Sequence, residues 1–217
     1  MAMTNIDIAR VVDLVMEELA RRCKEDDLVP VNVSNRHVHL TEDDYRILFG
    51  DMPFLNVKDL LQTGQYASNR AVDVEGPKGT IKRVRILGPF RPETQVELAQ
   101  TDARVTGIPA PVRMSGEIKG SAAVTLVGPK GQLELREGAI VAQRHIHMTP
   151  EDARRFGVVD GEKVDVRLEG PRPTTFNDTI IRVRDDFVLE MHLDTDEANA
   201  LGATTGQLYG RVIKHDE

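Results

Sequence analysis

The 217-residue chain has no tryptophan, and aromatics make up only 4% of it. That is too few for a base-stacking surface. Its single cysteine, Cys23, excludes an internal disulfide framework and fits a reducing cytoplasm. No apolar run approaches the length of a membrane span, and the N-terminus lacks a signal-peptide core and cleavage site. A net charge of −7 and a pI near 5.4 argue against a nucleic-acid partner, while leaving room for a local basic pocket. Gly-x-Gly-x-x-Gly, P-loop and Gly-x-Ser-x-Gly motifs are all missing. The expectation is a soluble, mildly acidic, intracellular protein of one large or two small domains.

What the chain does contain is a repeated string. Arg36-His37-Val38-His39-Leu40-Thr41 returns as Arg144-His145-Ile146-His147-Met148-Thr149, 108 positions later, and the two copies hold four of the six histidines. Residues two apart on a strand share a face. Each pair can therefore present two imidazoles to one point, as a transition metal with nitrogen ligands requires. A single His-x-His is more simply explained as hydrogen-bonded surface histidines. Its repetition favours metal.

Residues 4–23 read as an amphipathic helix, with Ile8, Val11, Val12, Val15, Leu19 and Cys23 on one stripe. A charged linker at 24–29 makes it look detachable, either packing on the domain or docking on another protein. From Val31 the alternation suggests a strand ending at His37 and His39. Thr41 followed by three acids then predicts a capped helix stopping near Gly50. The second copy repeats this with Thr149, Pro150 and Gly157. Between the motifs, Gly76-Pro77-Lys78-Gly79 and Gly128-Pro129-Lys130-Gly131 are matching turn signals among short strands. That density predicts a mainly β fold with short helices, built as small barrels or sandwiches.

The repeat runs further. Thr80–Arg85 parallels Thr179–Arg184, and Val96-Glu97-Leu98 parallels Met191-His192-Leu193. Short helices capped by Thr101 and Thr195 and closed by Gly107 and Gly202 should follow. Glu97 is thereby set against His192, and two trios emerge: His37, His39, Glu97 and His145, His147, His192. Each is a three-ligand set that leaves a position open for water or substrate. If the copies pack together, two metals share one cleft suited to clamping an oxyanion. Arg91 and Ser115 read from spacing alone as loop residues, and Arg36 and Arg144 as partners of carboxylates on the opposite strand face. His215 has no evident partner.

Ser34–Leu40, Gln143–Met148 and Gly88-Pro89-Phe90-Arg91-Pro92-Glu93-Thr94-Gln95-Val96-Glu97 resemble the PduL-type phosphate propanoyltransferases, the phosphotransacylases of propanediol-utilising and related bacterial microcompartments. The resemblance spans residues 28–213. It implies two similar β-barrel domains, 30–142 and 143–214, capped by short helices, with residues 30–35 able to lend a strand to the second. It also implies two zinc ions, one on His37, His39 and Glu97 and one on His145, His147 and His192, with Arg91 binding phosphate. The implied reaction interconverts acyl-CoA (propionyl, or acetyl) plus phosphate with acyl phosphate plus CoA. Residues 1–23 match the encapsulation peptides that bind shell or cargo proteins, which implies location in a microcompartment lumen. The resemblance implies neither a nucleic-acid nor a membrane partner and is compatible with a homo-oligomer. Two other readings stay open: a cupin-like oxygenase or isomerase with one four-ligand metal, and a non-catalytic, zinc-stabilised shell-docking protein.

Overall fold

The computed structural model describes residues 28–202 and 208–215, so the helix expected at 4–23 lies outside the described residues. In chain order the elements are β1 Leu28–Ser34, β2 His37–His39, α1 Glu42–Phe49, β3 Asn56–Asp59, β4 Tyr66–Gly76, β5 Gly79–Gly88, β6 Gln95–Leu98, α2 Gln100–Thr106, β7 Val112–Arg113, β8 Ala122–Val127 and β9 Gln132–Ala142. They continue with β10 His145–Met148, α3 Pro150–Phe156, β11 Lys163–Leu168, β12 Thr174–Val183, β13 Glu190–Asp194, α4 Thr195–Leu201 and β14 Leu208–Lys214.

The expected mainly β architecture of two barrels is what the chain adopts. In the first, β4, β5, β2, β6, β9 and β8 pair in a closed ring, with β3 added on β4 and β7 on β9. The second is a closed ring of β1, β13, β10, β12, β11 and β14. β1 precedes the whole first barrel yet pairs in parallel with β13 and antiparallel with β14.

Alternation puts one face of each strand inside. In β11, Val164, Val166 and Leu168 are fully buried between the outward Lys163 and Arg167. Leu40, Val74, Ile86, Val96 and Leu126 fill the first interior, and Val29, Ile146, Met148, Ile181 and Met191 the second. Each such aliphatic side chain contributes about 1.5–3 kcal/mol by leaving water.

The helices add side chains to the two cores, Leu48 and Ala103 to the first and Ala153 and Leu201 to the second. Thr41 and Thr149 cap α1 and α3 through their side chains, and Gly50 and Gly157 end them. Gly107 and Gly202 close α2 and α4 in the left-handed region, but the caps there are Ala99 and Asp194, not the expected threonines. The cap of α4 is a carboxylate accepting from the Glu197 N–H, so Thr195 is already helical. The two Gly-Pro-Lys-Gly turns have a shared task. Lys78 N–H donates to Thr106 O at the end of α2, and Lys130 N–H to Leu48 O at the end of α1. They satisfy helix carbonyls that lack an intrahelical partner. A Cβ on Gly76 or Gly128 would come within 2.5 or 2.4 Å of those same oxygens, so the turn can approach only with glycine.

The internal repeat corrects one expectation. His37 pairs with Arg85 across β2–β5, whereas His145 pairs with Ile180 across β10–β12. The segments Thr80–Arg85 and Thr179–Arg184 are therefore out of step by four residues, despite their similar spelling. In the true register Leu87 and Arg182 are equivalent, 95 positions apart like Glu97 and His192.

Candidate functional site

β2 and β10 each carry two histidines, and the antiparallel neighbour of each strand supplies the residues opposite them. On β6, Glu97 faces His37 and Gln95 faces His39. On β13, His192 faces His145 and Glu190 faces His147. Opposed side chains in such a ladder are within contact distance, so each trio follows from strand pairing. In each trio the potential ligand atoms all lie within 4.8 Å of one another.

Two nitrogens are oriented by backbone carbonyls. His37 Nδ1 donates to Asn35 O at 2.9 Å, and His145 Nδ1 donates to Gln143 O at 2.7 Å. A carbonyl can only accept, so each ring keeps its Nε2 lone pair for the interior. In the first trio His37 Nε2 is 3.1 Å from His39 Nε2 and 3.5 Å from Glu97 Oε2. Ligand atoms around a tetrahedral zinc, bonded at about 2.0–2.1 Å, lie about 3.4 Å apart. In the second trio the His145 and His192 rings stack at 4.9 Å, His147 is 4.7 Å from each, and Phe187 covers His147 at 4.0 Å.

The donor sets fit a metal. His39 Nδ1, both nitrogens of His147 and His192 Nε2 are buried without a hydrogen-bond partner. Such groups are destabilising unless something else satisfies them. Burial, and then the neighbouring imidazoles, hold His145 down to about 4 and His147 to about 2, and His39 is also lowered by burial, His37 and Arg91. They are neutral and able to ligate at neutral pH. Burial opposes charge on His37 and Glu97 as well, yet their mutual attraction prevails, raising the imidazole and lowering the carboxyl.

Around the first trio Glu97 Oε1 accepts from Gln95 Nε2 at 2.6 Å and from Ser115 Oγ at 2.7 Å, which leaves Oε2 toward His37. Gln95 is fixed in turn by Gly116 N–H at 2.7 Å, and Arg91 Nη1 reaches Ser115 Oγ at 3.4 Å. Arg91 thus enters the site, which its loop spacing did not disclose. Arg182, opposite His147 on β12, was missed altogether. Both guanidiniums are pulled below the usual arginine range, first by burial, and the Glu97 carboxylate opposes that shift in each. Two desolvated guanidiniums beside metal-type ligands are chemically suited to an anion.

Both trios, with Arg91, Ser115, Arg182 and Phe187, line one cleft of about 690 Å³ between the barrels. Gln62, from the loop before β4, crosses to the second barrel, donating to Val188 O at 2.9 Å and accepting from Val188 N–H at 3.1 Å. Arg36 pairs with Asp102 at 2.7 Å and Arg144 with Glu197 at 2.6 Å, the carboxylate partners expected, but both arginines precede their strands and Arg36 also lines the cleft. Lys78, Lys130 and Arg113 do not line the cleft. His215 meets Asp165 at 2.8 Å on the outside of the second barrel.

Comparison with known proteins bears on this cleft. The family model for phosphate propanoyltransferase matches residues 30–204. A phosphate propanoyltransferase of Citrobacter koseri is 49% identical over 203 residues, covering 93% of this chain and 94% of its own. One from Salmonella typhimurium is 50% identical over 200 residues, covering 92% and 93%. One from Clostridioides difficile is 45% identical over 201 residues, covering 92% and 96%.

Proposed function

The chain belongs to the phosphate propanoyltransferase family and is an acyltransferase, and from that premise we propose that the cleft interconverts propionyl-CoA, or acetyl-CoA, plus phosphate with acyl phosphate plus CoA by direct transfer. The observation that carries this reading is the convergence of orphaned imidazole nitrogens and two buried guanidiniums in one cleft. His37, His39 and Glu97 would hold one zinc and His145, His147 and His192 the other. When bound, such ions supply Lewis acidity where negative charge develops on the thioester oxygen and sulfur.

The chain's own residues do the rest. Arg91 grips phosphate through parallel N–H bonds, and Arg182 adds a second positive charge beside it. A phosphate oxygen so placed attacks the thioester carbonyl, the C–S bond breaks, and CoA leaves as the thiolate. Holding both substrates in one geometry removes much of the entropic barrier. Ser115 commits its proton to Glu97 and serves to orient that carboxylate. His37 and His145 keep their Nδ1 protons on carbonyls, so neither is free to act as a base through that atom.

Residues 1–23 are proposed to bind microcompartment shell or cargo proteins and carry the enzyme into the lumen. Among the described residues no helix is long and apolar enough to cross a membrane.

The test is thiol release from propionyl-CoA with and without phosphate. Release only in its presence, with no acylated enzyme after mixing with propionyl-CoA alone, is the expected result. A trapped acyl-enzyme overturns direct transfer, and the absence of phosphate-dependent release overturns the reaction.

A further inference from the structure

The ligand strands β6 and β13 are equivalent, and their paired positions read Gln95-x-Glu97 and Glu190-x-His192. Each half therefore carries one carboxylate on this strand, transposed by two residues. In the first half it stands opposite His37, inside the trio. In the second it stands opposite His147 and is not one of the three clustered ligands. Glu190 is nevertheless only 4% exposed, a rare state for a carboxylate without a compensating charge. Its Oε2 lies 3.0 Å from His192 Nε2, too bent for a hydrogen bond, and 3.0 Å from Gln62 Nε2 of the first barrel. The Asn32 side chain on β1 is a further donor. These described partners include neither lysine nor arginine.

A tri-histidine set is uncharged, whereas the first trio contains Glu97. Without Glu190 a divalent ion in the second site would sit in a buried, uncompensated field. We propose that Glu190 is the counter-charge and positioning residue of the tri-histidine site, clamped by Gln62 across the barrel interface so that the hold on one metal depends on the other barrel. This rests on the two-metal reading above. Both sites then carry one carboxylate each, one as a ligand and one behind a ligand, so that they match in charge and differ in the ligands they offer.

The experiment compares the full-length, zinc-loaded chain with Glu190→Gln and Gln62→Ala, by counting ions retained during dialysis against a graded chelator. Cobalt substitution reports the coordination of each site by its visible absorption. Both variants should release one ion at chelator concentrations on the order of ten- to a hundredfold lower than the wild type. The other ion should be retained as in the wild type, and the metal-free variants, although destabilised by the lost buried hydrogen bonds, should still unfold in one cooperative transition. Glu190→Asp, which keeps the charge, should recover part of the affinity. Should Glu190→Gln fail to fold, Gln62→Ala carries the same test. Wild-type retention of both ions in the variants, or equal loss of both, overturns this inference alone. A wild-type chain that never holds a second ion overturns the two-metal reading and this inference with it.

Discussion

Glu97 and His192 occupy the same point of their two barrels, each standing directly across the ladder from the first histidine of a His-x-His pair. A carboxylate at one and an imidazole at the other is the step that breaks the symmetry of the cleft. An ion held at the tri-histidine site would meet only imidazole ligands, whereas one held at the other would meet a carboxylate directly.

The two sites should empty independently. His39→Ala should lower the metal content by about one ion per chain, and His147→Ala by about one ion from the other site. Elemental analysis of the purified variants checks this. Loss of both ions from either variant would mean that the trios form a single shared site.

Arg91→Ala should raise the phosphate requirement or lower turnover by on the order of a hundredfold, the cost of losing one well-placed donor to a developing anion. Metal content should remain at the wild-type level, because the guanidinium reaches Ser115 and not a ligand. Loss of metal in this variant would place Arg91 in a structural role.

Acid should weaken the metal-free protein. His145 and His147 are held down to about 4 and about 2, far below the ordinary value of 6.5. Between about 6.5 and 4 the unfolded chain takes up protons that the folded chain refuses, so stability falls as pH drops. At about 1.4 kcal/mol per pKa unit, His145 alone accounts for on the order of 3 kcal/mol across that window. His37, raised by Glu97, acts in the opposite sense, but it is one group against three lowered ones. Urea unfolding of the chelator-treated protein at pH 7 and pH 5 should give the lower midpoint at pH 5. An equal midpoint would show that these imidazoles are not buried neutral.

A chain beginning at residue 28 should keep both barrels, and one beginning at residue 35 should keep only the first. The second truncation removes β1, with the buried Val29 and Val31 and its ladders to β13 and β14. Those two side chains alone account for on the order of 3–6 kcal/mol. The longer chain should bind two ions and the shorter one about one, with a corresponding loss of strand signal in circular dichroism. Two ions on the shorter chain would mean that the second barrel closes without β1.

The clustering of the two trios was legible because strand pairing preserves what the sequence spells: His-x-His is local, and Val96–Leu98 and Met191–Leu193 share a hydrophobic frame. Arg182 was hidden by a stronger but misleading likeness, since Ile-x-Arg-Val-Arg recurs four residues out of the true register. The common 95-residue spacing of Glu97 and His192 was the signal that could have exposed it. Gln62 and Glu190 had no signal at all. They lie 128 residues apart, in different barrels, and meet only because the barrels do. Thr101 and Thr195 drew attention as caps because threonine is common there, but the chain turns into helix sooner, at Ala99 two residues before Thr101 and at Asp194 one residue before Thr195.

The placement of β1 has a consequence for synthesis on the ribosome. Its strand leaves the exit tunnel before the first barrel is made, while its partners at residues 190–194 and 208–214 come last. At about 5–20 residues per second this interval is on the order of ten seconds. During it the first barrel can close, since its strands are contiguous from His37 to Ala142. β1 meanwhile waits as an unpaired edge, the kind of segment that invites wrong partners. The cleft comes into being only when the final strand arrives, so an interrupted chain holds a finished barrel and half a site, and no catalyst.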